Sequence, residues 1–188
     1  MAVTQYTIRR KILTLFGASF HIYDADQKLI GFSRQKAFKL KEDIRVYTDD
    51  SMQQERLAIK ARSIIDFGAA YDIVDSRTNE KLGALKRKGW SSMIRDSWLA
   101  LDQHDQEIGA IQEDSMMLAL VRRFLGGALI PQSFHLKGSG EENLATFRTH
   151  FNPFVHRMTV TVEEGCHLNP LFILATGLLL VAIEGRQN

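Results

Sequence analysis

The side chains of this 188-residue chain best placed to do chemistry are its clustered cations. They are Arg9-Arg10-Lys11, Lys36 with Lys39 and Lys41, Lys86-Arg87-Lys88, and Arg122-Arg123. Arginine meets phosphate oxygens with a planar fork of donors, and lysine meets them as a compact charge. Beside an anionic membrane each such residue contributes about 1 kcal/mol. The competing use of the same charges is to blunt strand edges and keep outer faces wet. The chain has 24 basic and 22 acidic residues, net +2. Bulk charge therefore does not call for nucleic acid, and any anion affinity has to come from clusters that converge in space.

Catalytic and metal signals are weak. There is no phosphate-cradling Gly-x-x-x-x-Gly-Lys loop and no Gly-x-Ser-x-Gly elbow. Gly138-Ser-Gly140 reads as a turn. His150 and His156 are six residues apart across Asn152-Pro153, a poor spacing for metal ligands. Cys166 and His167 are sequence neighbours whose side chains diverge, so they make a poor nucleophile–base pair. Asp24-Ala-Asp26 opens like a calcium loop, but Leu29 and Gln35 stand where Gly and Glu are needed. Asp102, Asp105 and Glu107 read as solvated turn residues. No catalytic residue, metal or cofactor is expected.

The elements that would position the cations are mostly strands. An aromatic residue, a short alternating strand, a polar turn and a second strand with Gly or Ala recur. The copies run Phe20 to Gly31, Tyr71 to Gly83, Trp98 to Gly109 and, more faintly, Phe134 to Ala145. Each reads as a β-hairpin, with the small residue expected opposite the aromatic to make room for it. Thr4–Phe16, Ala37–Leu40, Ile44–Tyr47, Arg56–Ala61, Ile64–Phe67, Met93–Ile94 and His156–Val162 read as further strands. Asp114 to Gly126 has apolar residues at Met117, Leu120, Val121 and Phe124, the spacing of an amphipathic helix. Pro170 to Ile183 is uncharged, with Asn169 as N-cap and Pro170 at the first helical position. At ~1.5 Å per residue that helix spans about 21 Å. This is short for a bilayer core of about 30 Å, so the helix belongs inside protein. About ten or more short strands enclose a lumen too wide for side chains alone, and such a helix fits it. The fold class is mainly β: a closed antiparallel barrel around a central hydrophobic C-terminal helix, with one additional amphipathic helix. Residues 1–188 form one domain, with one cysteine and no secretory signal.

The repeats, the strand Leu82-Gly-Ala-Leu-Lys-Arg-Lys88 followed by Trp90, and the closing apolar helix resemble the tubby C-terminal-like superfamily. Tyr6-Thr-Ile-Arg-Arg-Lys11, Phe20-His-Ile-Tyr-Asp24 and Lys36-Ala-Phe-Lys-Leu40 are similar to its LURP-one-related branch. Asn169 to Leu180 resembles its phospholipid-scramblase branch. The resemblance implies a twelve-stranded barrel around a hydrophobic helix and, for tubby-like members, phosphoinositide headgroup binding through basic residues. It departs from the scramblases at Thr161-Val-Glu-Glu-Gly-Cys-His-Leu-Asn169, where their Asp-rich calcium segment is missing.

The resulting expectation is a cytoplasmic, non-enzymatic module, peripheral to the membrane when docked. It would bind anionic phospholipid headgroups through Arg9, Lys11, Lys86, Arg87, Lys88, Arg122 and Arg123. The alternatives are a scramblase-like protein with its terminal helix in lipid, and a signalling scaffold that binds a protein partner.

Overall fold

The computed structural model of the protein describes residues 4–13, 17–35, 43–62, 70–88, 97–113, 132–150 and 156–184. Among them the chain forms twelve strands and one helix. The strands are β1 (Thr4–Leu13), β2 (Gly17–Tyr23), β3 (Leu29–Gln35), β4 (Ile44–Tyr47), β5 (Glu55–Ala61) and β6 (Ala70–Asp75). They continue as β7 (Glu80–Arg87), β8 (Ser97–Leu101), β9 (Glu107–Glu113), β10 (Ser133–Gly138), β11 (Asn143–His150) and β12 (His156–Val162), and the helix is α1 (Pro170–Glu184). Every strand pairs antiparallel with its sequence neighbours, and β1 pairs with β12 to close the barrel. The amphipathic helix expected over Asp114 to Gly126 lies outside the described residues. So do the strands expected at Ala37–Leu40, Ile64–Phe67 and Met93–Ile94.

Helix α1 forms where the sequence has Leu and Ala without a β-branched run, which favours helix over strand. Its start is fixed by Asn169, whose Oδ1 accepts from the Leu171 N–H at 2.9 Å. The Asn169 carbonyl accepts from Phe172 N–H at 2.9 Å. The helix is buried on every side from Leu171 to Ala182. Thr176, its only hydroxyl, donates to the Phe172 carbonyl at 2.9 Å, so the core holds no stranded polar group there. Burying each large apolar side chain stabilises by about 1.5–3 kcal/mol.

The strands supply the wall of that core. Ile8 faces Ile22 on one side and Met158 on the other, and Phe147 lies between Phe134 and Val160. All of these are buried. Gly177 of α1 marks a close approach of helix and wall: a Cβ there would lie 2.9 Å from Val160 Cγ2 and 3.1 Å from Ile8 Cδ1. No helix among the described residues is long and apolar enough to cross a membrane.

The recurring hairpins are present as β2–β3, β6–β7, β8–β9 and β10–β11, with one correction to their register. The small residue does not face the aromatic. Gly31 faces Ile22, Gly83 faces Ile73, Gly109 faces Ala100 and Ala145 faces Leu136, each time two residues past the aromatic. The reason differs from site to site. At Gly83 the space belongs to the helix and the next strand: a Cβ would meet Phe172 Cε2 at 2.7 Å and the Leu101 carbonyl oxygen at 2.4 Å.

The turns follow the chemistry of their first residue. Asp24, Asp49, Asp75 and Asp102 each accept a backbone N–H from two or four residues on, at 2.8–2.9 Å. Gln27, Met52, Asn79, Asp105 and Glu141 then take positive φ of 55–64°, one in each turn. The ladder shifts register beside the turns of β2–β3, β4–β5, β6–β7, β8–β9 and β10–β11. The alternating strand directions put all these turns, and the link from β12 to α1, at one end of the barrel.

On the outer face of β6 and β7, two cations and two carboxylates are consumed together. Arg62 binds Asp72 at 2.6 Å and also Asp105, and Lys81 binds Asp105 at 2.7 Å and Asp72 at 3.3 Å. The network ties three strands to the β8–β9 turn. Hydrogen bonds from Arg62 and Lys81 hold the Asp105 carboxyl down at about 2. For Asp72, burial pushes the carboxyl up, but hydrogen bonds from the same two cations outweigh it and leave it lowered.

Three outcomes are expected. Gly83→Ala lowers stability by about 1–3 kcal/mol through overpacking, read as a fall in the urea midpoint. A chain ending at Cys166 lacks the filling of the barrel and shows no cooperative thermal unfolding, unlike the full chain. Asp105 has a folded pKa below its unfolded value of about 3.9, so its contribution is complete above that value and is lost as pH falls towards about 2. The melting temperature therefore drops across that window, and less steeply in Asp105→Asn.

Candidate anion-binding surface

Charge is segregated around the barrel. Strands β10, β11, β12, β1, β2 and β3 are consecutive neighbours. None of the six contains an Asp or a Glu. Strands β4 to β9 hold Glu55, Asp72, Asp75, Glu80, Glu107 and Glu113 among their basic residues. Ile8, Phe20, Ile22, Met158 and Val160 face the core, so the alternate positions face outward. On the acid-free wall the outward cations are Arg9, Lys11, Arg34, Lys137, Arg148 and Arg157.

At the centre of the wall lies one cross-strand row. His150 of β11 is opposite Arg157 of β12, Arg157 is opposite Arg9 of β1, and Arg9 is opposite His21 of β2. Residues paired in this way have Cβ atoms about 4.5–5.5 Å apart, and like charges so placed repel. The flanking rows add Lys11 and Arg34 on one side, joined through Ser19, and Arg148 on the other, opposite Thr159. Arg9, Lys11, Arg34, Arg148 and Arg157 join no ion pair among the described residues.

Neutral groups hold these cations in place. Arg9 donates to Gln27 Oε1 at 2.8 Å and lies over the Tyr23 ring, 4.6 Å from its centroid. Arg34 lies 5.7 Å over Phe32. An aromatic face orients a guanidinium without cancelling its charge. His21 packs edge-on against Phe32 at 5.0 Å, and His150 Nε2 lies 2.7 Å from Thr159 Oγ1. Burial lowers the His21 pKa; Lys11 and Arg9 lower it further and Asp50 opposes them. Burial, Arg148 and Arg157 lower the His150 pKa. Both rings are therefore mainly neutral near pH 7, and the permanent charge of the row is that of Arg9 and Arg157.

The turn end has the opposite sign. Asp24 and Asp26, Asp49 and Asp50, Asp102 and Asp105, Glu141 and Glu142, and Glu163 and Glu164 lie in five of the six connections at that end. Cationic wall and acidic rim give the molecule a direction in an external field.

The expected site residues separate. Arg9 and Lys11 stand on the wall. Lys86 is exposed on the outer face of β7, six strands from β1 in either direction round the barrel. Arg87 turns inward, 5.9 Å over the ring of the buried Trp98. Lys88 lies just past β7, its N–H donating to the Ser97 carbonyl. The 86–88 cluster thus splits between two faces and does not meet the wall. Arg122 and Arg123, like Lys36, Lys39 and Lys41, lie outside the described residues. Arg34, Arg148, Arg157, His21 and His150 were not among the expected residues. The signal that could have found them is that 1–23, 27–41 and 143–162 contain no acid.

The weaker motifs do not assemble into sites. His150 faces out, whereas His156 shares the inward face with Arg10 and Phe20. Cys166 packs on the core while His167 is exposed. Among the described residues no three His, Cys, Asp or Glu gather to hold a metal.

No curated protein matches the chain. The family model described as LURP-one-related matches residues 29–181, from the start of β3 to within α1. The match leaves out β1 and β2, and with them Arg9, Lys11 and His21. It covers far more than half of a chain whose barrel and buried terminal helix have already been described. The chain therefore belongs to the LURP-one-related family, within the tubby-like C-terminal superfamily.

Proposed function

We propose that the protein is a non-enzymatic binding module that docks on anionic phospholipid headgroups with the outer wall of β10, β11, β12, β1, β2 and β3. One observation carries this reading. The wall places cations beside one another across strands, with no acid in any of its strands. That arrangement costs repulsion in the free protein and is offset by an anionic partner. A broad wall with charges spread over several strands suits an extended charged surface.

Two features bear on the alternatives. A flat surface resting on β1 and β12 does not reach β7, so Lys86 and Lys88 have no part in this docking. The apolar residues of α1 already fill the barrel, and moving them into lipid would empty the core. The scramblase-like arrangement therefore requires unfolding of the domain. Lipid docking leaves the fold as it is.

Flotation of the full chain with phosphatidylglycerol–phosphatidylcholine vesicles at moderate salt tests the reading. Arg9→Gln with Arg157→Gln removes two charges of about 1 kcal/mol each near the membrane, so binding weakens by on the order of thirtyfold. Lys86→Gln with Lys88→Gln leaves it unchanged. Absence of binding, or the reverse ranking of the two variants, would overturn the proposal and favour a scaffold for a protein partner.

A further inference from the structure

The central row of the wall has two permanent cations in the middle and a histidine at each end. We propose that docking by this wall is proton-coupled: His150 and His21, flanking Arg157 and Arg9, take up protons when the row meets an anionic surface, so binding strengthens as pH falls. The inference rests on the docking reading and adds regulation to it.

The surroundings of each ring set the direction. His21 meets Arg9 and Lys11 from β1, Phe32 and Arg34 from β3, Tyr23 on its own strand and Asp50 from the β4–β5 turn. His150 meets Arg157 and Thr159 from β12 and Arg148 on its own strand, and the nearby groups of β10 and its approach, Ser133 and Gln132, are uncharged. Apart from Asp50, every charged group around the two rings among the described residues is a cation. In the free protein a proton on either ring adds a like charge to the row and is disfavoured. An anionic surface reverses the sign of that field, and proton uptake on binding follows by linkage. His21 Nδ1 is buried and makes no hydrogen bond among the described residues. A proton there is a buried donor without a partner, which adds to the cost of charging the ring in the free protein.

The remaining histidines sit elsewhere. His135 is on the wall but opposite Thr146 and Gln112, with no arginine directly across. His156 faces inward, and His104 and His167 belong to the acidic turn end. The pair His21 and His150 can therefore be tested separately.

The test uses the full chain and phosphatidylglycerol–phosphatidylcholine vesicles, whose phosphodiester keeps its charge over the range. Partition is measured at about pH 7.5 and about pH 5.5, on either side of the ordinary histidine value, at fixed ionic strength. A positive charge at an anionic surface is worth about fivefold in affinity, so two histidines give on the order of twentyfold tighter binding at the lower pH. His21→Gln with His150→Gln removes most of the increase between the two pH values, whereas His104→Gln with His167→Gln retains it. Binding by the wild-type chain that does not change with pH would overturn the proton coupling and leave docking intact. So would an increase that persists in His21→Gln/His150→Gln. Absence of binding at both pH values would overturn docking and coupling together.

Discussion

The structure depends on enclosing one uncharged helix. Residues Leu171 to Ala182 are buried all round, which a single sheet face cannot achieve and a closed barrel can. Closure requires the first and last strands to pair, and β1 and β12 do so over seven residue pairs. The close approaches at Gly83 and Gly177 are local consequences of the same requirement. At each, a side-chain atom would have to occupy space already taken by the helix or by the wall it packs against. The helix is thus both the last element in the chain and the filling on which the other elements converge.

The same closure creates the surface chemistry. Arg9 and Arg157 are 148 positions apart in sequence and become direct cross-strand neighbours only when β1 meets β12. The acid-free strands β10 to β12 and β1 to β3 then join into one wall, and His150 and His21 bracket the arginines. On the other side, Arg62, Asp72, Lys81 and Asp105 cancel one another in a network. Nearly equal numbers of charges can therefore produce a mixed-charge side and a cationic side in one molecule with net charge +2. The distinction lies in whether a cation is oriented by a carboxylate or by a neutral group such as the Tyr23 ring or the Gln27 amide.

The cationic wall and the packing around the helix use different faces of the same strands. In β1, Ile8 is fully buried against the core while Arg9, the next residue, faces outward. Substitution of Arg9 therefore changes the surface without touching the packing around the helix. The reverse holds at Arg87, where a basic residue picked out by its cluster turns out to lie over buried Trp98.

Much of the fold was legible because it is local. Period-two alternation, Asp-initiated turns and the uncharged run after Asn169-Pro170 each act within a few residues, and they identify the described strands, hairpins and central helix. Sequence also showed a family resemblance that the LURP-one-related match bears out. It did not fix the partner of each small residue, because a turn with a positive φ and an adjacent bulge shifts the register by an amount that residue spacing does not reveal. Nor did it reveal the site. Clusters such as Lys86-Arg87-Lys88 are conspicuous in sequence, yet alternation sends their members to opposite faces and the barrel carries them away from Arg9. The sequence by itself determined the strands, the turns and the helix that must be buried. Only the tertiary structure decided which charges stand together, because that depends on strand order, register and the closing contact between the two ends of the chain.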